Sequence, residues 1–360
     1  MRTVLFTAIL SVFLFSCAKK AGEAKFVLEI SDLDKTTSME DCSKLINKRL
    51  EELLDKSRPD IKTEFVNNQL NISFDYCEED TATVLKVKQL LISQKSELQF
   101  WETFDNIKLN PFWQIANDKV RETFGDSALA EMNKKPEQQG KNGLGTEIAE
   151  NERRIRDSIG RLYPISRLLY PRMDAKGYLL PGPVIGYCSY KDTAQLMLFL
   201  THPNVKKFFP RDAIFAFSSK GLEESDGTFE VYCLKKTGNG PAISGNCIER
   251  AAQGGKKGEP MFVDLQFNEE SAKKWERLTE RLAASKENDG SGNEYYCAVA
   301  IVMENKVLTA PGVANKISGG RSEISGGFSN AEVHEIVAKI LYPMNFSSRV
   351  LSYELIPATK

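Results

Sequence analysis

The segment Ile317-Ser318-Gly319-Gly320-Arg321-Ser322-Glu323-Ile324-Ser325-Gly326 places glycines on both sides of a short run with strand character. Glycine adopts backbone angles that side chains forbid, so Gly319, Gly320, Gly326 and Gly327 predict bends that flank a strand. A phosphate-binding loop would instead lead from a strand through glycines directly into a helix. The intervening strand at residues 321–324 therefore argues against a nucleotide site.

Further strands and helices surround this glycine segment. Ser329 and Glu332 have the spacing of a capping box, which marks the start of a helix. Apolar residues recur at a period of two or at helical spacing in the other elements. The predicted elements are a strand Met261–Phe267, a helix Glu269–Ala283, hairpin strands Tyr296–Met303 and Lys306–Ala310, and a final helix that ends near Leu341. Together they predict an α+β unit.

Residues 25–104 have the pattern of a second unit, β-α-β-β-α-β. The predicted elements are strands Lys25–Ser31, Ile61–Val66, Leu70–Tyr76 and Leu98–Phe104, with helices Met39–Ser57 and Ala82–Gln94. Each helix has one apolar face, which it can bury on an antiparallel sheet. This order of elements predicts a ferredoxin-like α+β fold.

The region between these two units is more polar at first. A helix predicted near residues 146–162 interleaves acidic and basic residues, which indicates a solvated surface helix rather than a nucleic-acid patch. Short strands and a helix follow from residue 182 onward. Four aromatic residues stand out there: Phe208, Phe209, Phe215 and Phe217. Two interpretations are open, because the rings could line a cleft that binds a polypeptide or could form ordinary core.

Composition excludes several classes of function. With 360 residues the chain has room for two domains, and its net charge of -1 argues against a strongly basic nucleic-acid binder. The sequence has two histidines, His202 and His334, and neither H-E-x-x-H nor C-x-x-C occurs. No G-x-S-x-G nucleophile motif occurs either. We therefore expect no metal, no cofactor and no catalytic residues.

The first residues predict export and a lipid anchor. The apolar run Val4–Phe15 is too short for a hydrocarbon core that needs about twenty residues, so it reads as a signal peptide. Leu14-Phe15-Ser16-Cys17 looks like a lipobox, in which Cys17 would receive lipid. An ordinary signal with a chance cysteine is the alternative. Residues 18–24 would form a short flexible linker (leash) between the lipid anchor and the folded protein. Ala18, which follows the lipidated cysteine, slightly favours anchoring in the outer membrane over the inner one.

Six further cysteines suggest disulfides in an exported chain. Cys233 and Cys247 flank the turn-forming stretch Thr237–Pro241, so they could face each other across a hairpin. Buried free thiols are the alternative interpretation.

Three ordered stretches resemble SecD, a subunit of the bacterial protein-export machine, in the form seen in fused SecDF proteins of Bacteroidota. Residues 98–102 resemble the end of the first subdomain of that family. The midsection is similar over residues 180–186, 203–205 and 209–212. Residues 298–302, 307–311 and 317–326 resemble the end of the head subdomain.

This resemblance implies a ferredoxin-like base with an inserted α+β head. The implied divisions are a signal peptide with lipobox (1–17), a leash (18–24), the base (25–104), the head with insertions (105–345) and a closing strand that returns to the base (346–360). In SecD the head binds the translocating polypeptide, and its movement is coupled to proton flow through membrane helices. No transmembrane helix follows Leu355, so we expect binding without a proton-driven motor.

Two functions follow from these expectations. The first is a periplasm-facing lipoprotein that assists protein export by binding the Sec translocon or exported unfolded polypeptides. The second is an envelope scaffold that reuses the same fold, since a fold does not fix a function. An enzyme is a third possibility, which the missing nucleophile motif and the two unpartnered histidines disfavour.

Overall fold

The computed structural model describes residues 21–33, 37–54, 61–66, 69–77, 81–92, 97–132, 160–222, 227–256, 260–288 and 294–357. Their mixture of helices and strands confirms the α+β class. The chain divides into two compact units. The first comprises Met1–Gln94 with Met344–Lys360, and the second comprises Lys95–Pro343. In the described ranges no helix is long and apolar enough to cross a membrane.

Strands and helices are interspersed along the described chain. The strands are β1 (Ala21–Ser31), β2 (Lys62–Val66), β3 (Gln69–Cys77), β4 (Gln99–Thr103), β5 (Tyr170–Pro171), β6 (Val184–Ser189), β7 (Ala213–Gly221), β8 (Thr228–Lys235), β9 (Ile248–Gly254), β10 (Met261–Phe267), β11 (Glu287–Asn288), β12 (Glu294–Tyr295), β13 (Val299–Met303), β14 (Lys306–Thr309), β15 (Arg321–Phe328) and β16 (Ser347–Ile356). The helices are α1 (Met39–Leu54), α2 (Thr81–Leu91), α3 (Asn106–Met132), α4 (Pro164–Leu168), α5 (Thr193–Thr201), α6 (Pro203–Lys206), α7 (Glu269–Ala284) and α8 (Asn330–Leu341).

The first unit is an antiparallel sheet in the order β16-β1-β3-β2, with α1 and α2 packed against it. Residues of β1 alternate between buried and more exposed positions, so one face of the sheet carries the core. That core joins the stacked rings of Phe26 and Phe74, 6.0 Å apart, to Leu50 of α1 and Val87 of α2. Burial of these apolar faces stabilises the unit.

The predicted strand at residues 98–104 does not complete this sheet, and that prediction was wrong. β4 lies in the second unit, where it pairs with β13 and β8. Its neighbouring residues Phe100 and Trp101 are both buried, which requires cover on both faces of the strand. The sheet of the first unit offers cover on one face. The place beside β1 is occupied by β16.

The second unit contains two larger sheets. One has seven strands in the order β4-β13-β14-β7-β8-β6-β5, and β4 also pairs with β8, so five of its strands form a closed ring. The other has three strands in the order β15-β10-β9. Val263 of β10, Ile324 of β15, Trp275 of α7 and Val333 of α8 belong to one buried cluster with β13. The predicted capping box of α8, between Ser329 and Glu332, is confirmed.

Helix α3 is an element that the sequence pattern did not predict. It contains Pro111, and Gly125 has a non-helical φ of 74° at a kink. Both residues interrupt helical periodicity, which explains the missing signal. The Asp105 carboxylate accepts a hydrogen bond from the Ile107 amide at 2.8 Å and so caps the first turn. The charged helix predicted at residues 146–162 lies outside the described residues except for its last three.

Candidate functional site

A cavity of about 800 Å³ lies in the second unit, next to the sheet β15-β10-β9. Its lining combines an apolar wall with polar groups of both charges. The apolar wall includes Phe262, Trp275, Val299, Ile301, Val313 and Ile317. The polar lining comprises Gln253, Asp264, Asn315, Arg321, Ser322, Glu323 and Ser325. A concave region that combines an apolar wall with several polar groups is a candidate binding site.

The glycine segment shapes one side of this cavity. Antiparallel pairing places Glu323 of β15 opposite Asp264 of β10. Before the strand, Gly319 and Gly320 have φ values of +80° and +69°, as the sequence predicted for a bend. The Gly320 carbonyl accepts a hydrogen bond from the Phe267 amide at 2.8 Å. Gly326 and Gly327 lie inside β15, where the pairing with β10 is irregular, and the positive φ is at Gly327.

Replacing Gly320 by alanine should lower the free energy of unfolding of the second unit by about 2 kcal/mol. The new Cβ would stand 2.7 Å from Ala272 Cβ, in a backbone conformation that favours glycine. Gly319→Ala is the matched control, because φ is similarly positive but no atom lies within 4 Å of the new Cβ. Urea unfolding should show about half the loss for the control. Equal losses for both variants would contradict the steric argument.

Trp275 of α7 lies at the inner wall of the cavity. Its ring stacks on Phe267 and tilts against Phe100, with both centroid distances at 5.3 Å. The residue is 3% exposed, and among the described residues its Nε1 has no hydrogen-bond partner. Asn268 begins the helix by accepting a hydrogen bond from the Ser271 amide. The indole is therefore held rigidly while its donor remains unused.

An ion pair ties α7 to β4. Arg281 donates two hydrogen bonds of 2.9 Å to the Glu102 carboxylate, and Thr237 donates a third at 2.8 Å. Burial acts to raise the pKa of Glu102. The hydrogen bonds from Arg281 and Thr237 and the positive charges of Arg281 and Lys235 lower that pKa by more than burial raises it. The pKa of Glu102 therefore lies below its ordinary value, and the carboxylate is charged at neutral pH.

The four phenylalanines selected from the sequence do not line this cavity. Phe209 and Phe215 are buried with ring centroids 5.0 Å apart, and Trp113 packs on both. A polypeptide-binding role for these two rings was wrong and the alternative interpretation as core is correct, because both side chains are buried in one apolar cluster. Phe208 and Phe217 are half-buried. Trp275, which does line the cavity, was predicted from the sequence only as one residue on the apolar face of a helix.

The predicted disulfide between Cys233 and Cys247 was also wrong. Both thiols are free and buried, and they belong to different apolar clusters. Burial raises the pKa of Cys233, and it raises the pKa of Cys247 to about 11. Cys17 lies outside the described residues. Within the described ranges, no group of three or more His, Cys, Asp or Glu side chains could hold a metal ion.

Comparison with known proteins relates the cavity to a known subdomain. Residues 219–341 match the family model of the SecDF P1 head subdomain, and every residue that lines the cavity falls in this range. The chain is 27% identical over 156 residues to the protein translocase subunit SecD of Rhodothermus marinus, covering 43% of this chain and 23% of that protein. It is 25% identical over 234 residues to SecD of Rickettsia typhi, covering 62% and 39%.

Solved structures of SecDF are also similar to this chain. The crystal structure of SecDF in the super-membrane-facing form gives a TM-score of 0.43 at 15% identity, covering 95% of this chain and 31% of that one. A second SecDF structure, described as a membrane component that enhances protein export, gives 0.39 at 15% identity, covering 91% and 98%. The chain spans 17% to 39% of the length of the curated relatives. The head match and the SecD relatives together show that residues 219–341 are similar to the SecDF P1 head subdomain and that longer stretches of the chain are similar to SecD proteins.

Proposed function

We propose that this protein is a periplasm-facing accessory component of protein export that binds translocating polypeptide through its head, or docks on the Sec translocon. It acts by binding. The observation that carries the proposal is the cavity of about 800 Å³, which lies entirely within the residues that match the SecDF head. Relatives named as protein translocase subunits support the same role.

The composition of the cavity suits an unfolded chain. Unfolded polypeptides expose apolar side chains that a folded protein would bury, and these gain free energy by leaving water. Phe262 and Ile317 line the cavity and are half-buried, so they offer an apolar surface for such side chains. Asp264, Arg321 and Glu323 bring both signs of charge to the same lining, which suits a main chain that is dipolar and uncharged.

The proposal also includes the architecture and the anchor. The antiparallel order β16-β1-β3-β2 with two helices supports a ferredoxin-like base, into which the head is inserted between α2 and β16. We propose that Cys17 carries lipid and holds the protein at a membrane, with the outer membrane slightly favoured. Cys17→Ser should move the protein from the membrane fraction to the periplasmic fraction. Unchanged fractionation would contradict the lipid anchor. It would not bear on the export role, which photocrosslinking tests separately.

Site-specific photocrosslinking in living cells tests the export role. Ala314 lines the cavity and is exposed, so a photoreactive residue there should give adducts with exported chains or Sec subunits. Slowing export should increase the adducts with exported chains. Ala175, exposed on a hairpin that does not line the cavity, provides the matched control. Adducts only with folded outer-membrane proteins would favour an envelope scaffold, and equal labelling from both positions would refute a cavity-specific role.

A further inference from the structure

We propose that the outer edge of β15 receives an extended segment of translocating polypeptide as an added strand of the sheet β15-β10-β9, held by main-chain hydrogen bonds. This inference rests on the proposed function and specifies how the head would hold its substrate. It begins from an edge strand: in the described ranges β15 pairs with β10 alone, and residues 321–326 make no backbone hydrogen bond to any other segment.

The cavity reaches both faces of β15. Arg321, Ser322 and Glu323 are consecutive and all three line it, as does Ser325. Successive side chains of a strand point to opposite faces of its sheet, so these residues cannot all meet a space that lies on one face. β10 closes one side of β15, and the cavity therefore passes around the other side. The main-chain N–H and C=O groups that point away from β10 border this space.

This edge lacks the usual protection in the described part of the chain. Natural proteins guard edge strands with lysine, with proline or with a covering segment. Residues 321–326 contain neither lysine nor proline, and Arg321, Glu323 and Ser325 are exposed. Arg321 and Glu323 carry opposite charges, so the edge has no net charge that would repel one class of chain. Another extended chain can therefore approach it.

A second wall of the cavity is already ordered without pairing to β15. The segment 311–317 is held at one end by Val313, whose amide donates to the Cys297 carbonyl at 2.8 Å. At the other end the Ile317 amide donates to Thr279 Oγ1 at 2.9 Å. Because both ends of this wall are bonded to other elements, binding requires little further ordering of the protein.

An unfolded polypeptide is the occupant that this chemistry fits. Every residue except proline offers one N–H and one C=O, whatever its side chain, so a strand edge can hold chains of unrelated sequence. A folded partner has already paired most of these groups internally. Side chains of the added strand that enter the cavity can contact Phe262 and Ile317, which line it and are half-buried.

The first test uses the full chain and short synthetic Ser/Thr peptides with one central Phe. In a series of versions, one N-methyl group is moved along successive amides around the Phe, which removes one donor at a time. The N–H groups of a strand alternate between its two sides, so only every second methyl group should meet β15. We expect binding to weaken about fivefold to tenfold at every second position and to change little in between. Equal losses at adjacent positions, or no loss at any position, would overturn the inference.

The second test locates the peptide on the sheet. Ser325 on β15 and Ala252 on β9 are both exposed, they lie on the two edge strands of one sheet, and only Ser325 lines the cavity. A photoreactive residue at Ser325 should label the peptide, whereas one at Ala252 should not, and urea unfolding verifies that both variants are folded. Bound peptide should slow amide hydrogen exchange in residues 321–326 and leave residues 248–254 unchanged. Equal labelling from the two positions would overturn the assignment to β15.

The outcomes separate this inference from the function on which it rests. If the protein binds the Phe peptide without alternation along the N-methyl series, strand addition is refuted, although the head still binds polypeptide. If the protein binds no peptide and Ala314 gives no adducts in cells, both proposals fail. If exchange in residues 321–326 slows as the concentration of protein rises without peptide, a second copy of this chain occupies the edge, and the inference is overturned.

Discussion

Replacing Phe100 by alanine should lower the free energy of unfolding of the second unit by about 4 kcal/mol. Phe100 is fully buried on β4, and its ring lies 5.1 Å from Phe267 and 5.3 Å from Trp275. Removing it leaves a void between these two rings, because neighbouring strands and α7 cannot close the space. Tryptophan fluorescence during urea unfolding measures the loss.

The tryptophans make this measurement specific to one unit. All three of them, at positions 101, 113 and 275, belong to the second unit. Tyr178→Ala is the control, because this side chain in the same unit is 70% exposed and should change stability by less than about 0.5 kcal/mol. A loss below about 2 kcal/mol for Phe100→Ala would show that the three rings do not depend on one another for packing.

Replacing Arg281 by methionine should cost about 3 kcal/mol, more than replacing its partner Glu102 by glutamine. The Glu102 side chain is 8% exposed, whereas that of Arg281 is 51% exposed. Without Arg281, the buried Glu102 carboxylate keeps only the hydrogen bond from Thr237 and the charge of Lys235, whose Nζ is 3.9 Å away, as partners among the described residues. Loss of the carboxylate leaves a guanidinium that water can solvate, so the two variants should differ.

Lys273→Met provides a matched control on the same helix, since its partner Glu269 is solvent-exposed and the substitution should leave stability almost unchanged. Acid titration gives an independent measurement. The pKa of Glu102 in the folded protein lies below the ordinary value of 4.5. The carboxylate therefore contributes its full stabilisation above pH 4.5, and this contribution is lost as the pH falls through the folded pKa. The stability difference between wild type and Glu102→Gln should therefore shrink below pH 4.5. A constant difference would contradict the ion-pair assignment.

Local patterns in the sequence predicted most elements but not every neighbour. The alternation in Met261–Phe267 and the capping box of α8 depend on residues within one element, so both could be predicted. β4 was predicted as a strand, yet its assignment to a sheet was wrong. Strand pairing depends on residues that are distant in sequence, such as Ile301, which pairs with Phe100 across about two hundred residues. Periodicity carries no information on that choice.

The candidate site shows the same limit. The glycine bend at Gly319 and Gly320 was predicted because φ preference is a property of single residues. Trp275 was predicted on the apolar face of its helix, but periodicity does not distinguish a residue in solid core from one beside a cavity. For Phe209 and Phe215 the sequence left a binding cleft and ordinary core open, and the structure shows that their rings form core.

The position of β16 in the first unit affects how the protein is made. β1 leaves the ribosome long before its neighbour on one side, β16, because the whole second unit lies between the two strands in the chain. Until residues 347–356 arrive, the hydrogen-bonding edge of β1 is open to other extended chains, including a second copy of this one. Such a late, long-range pairing is intrinsically slow. Quality control during biogenesis should therefore act on the first unit, and truncated products that lack β16 should aggregate or be degraded even when the second unit has folded.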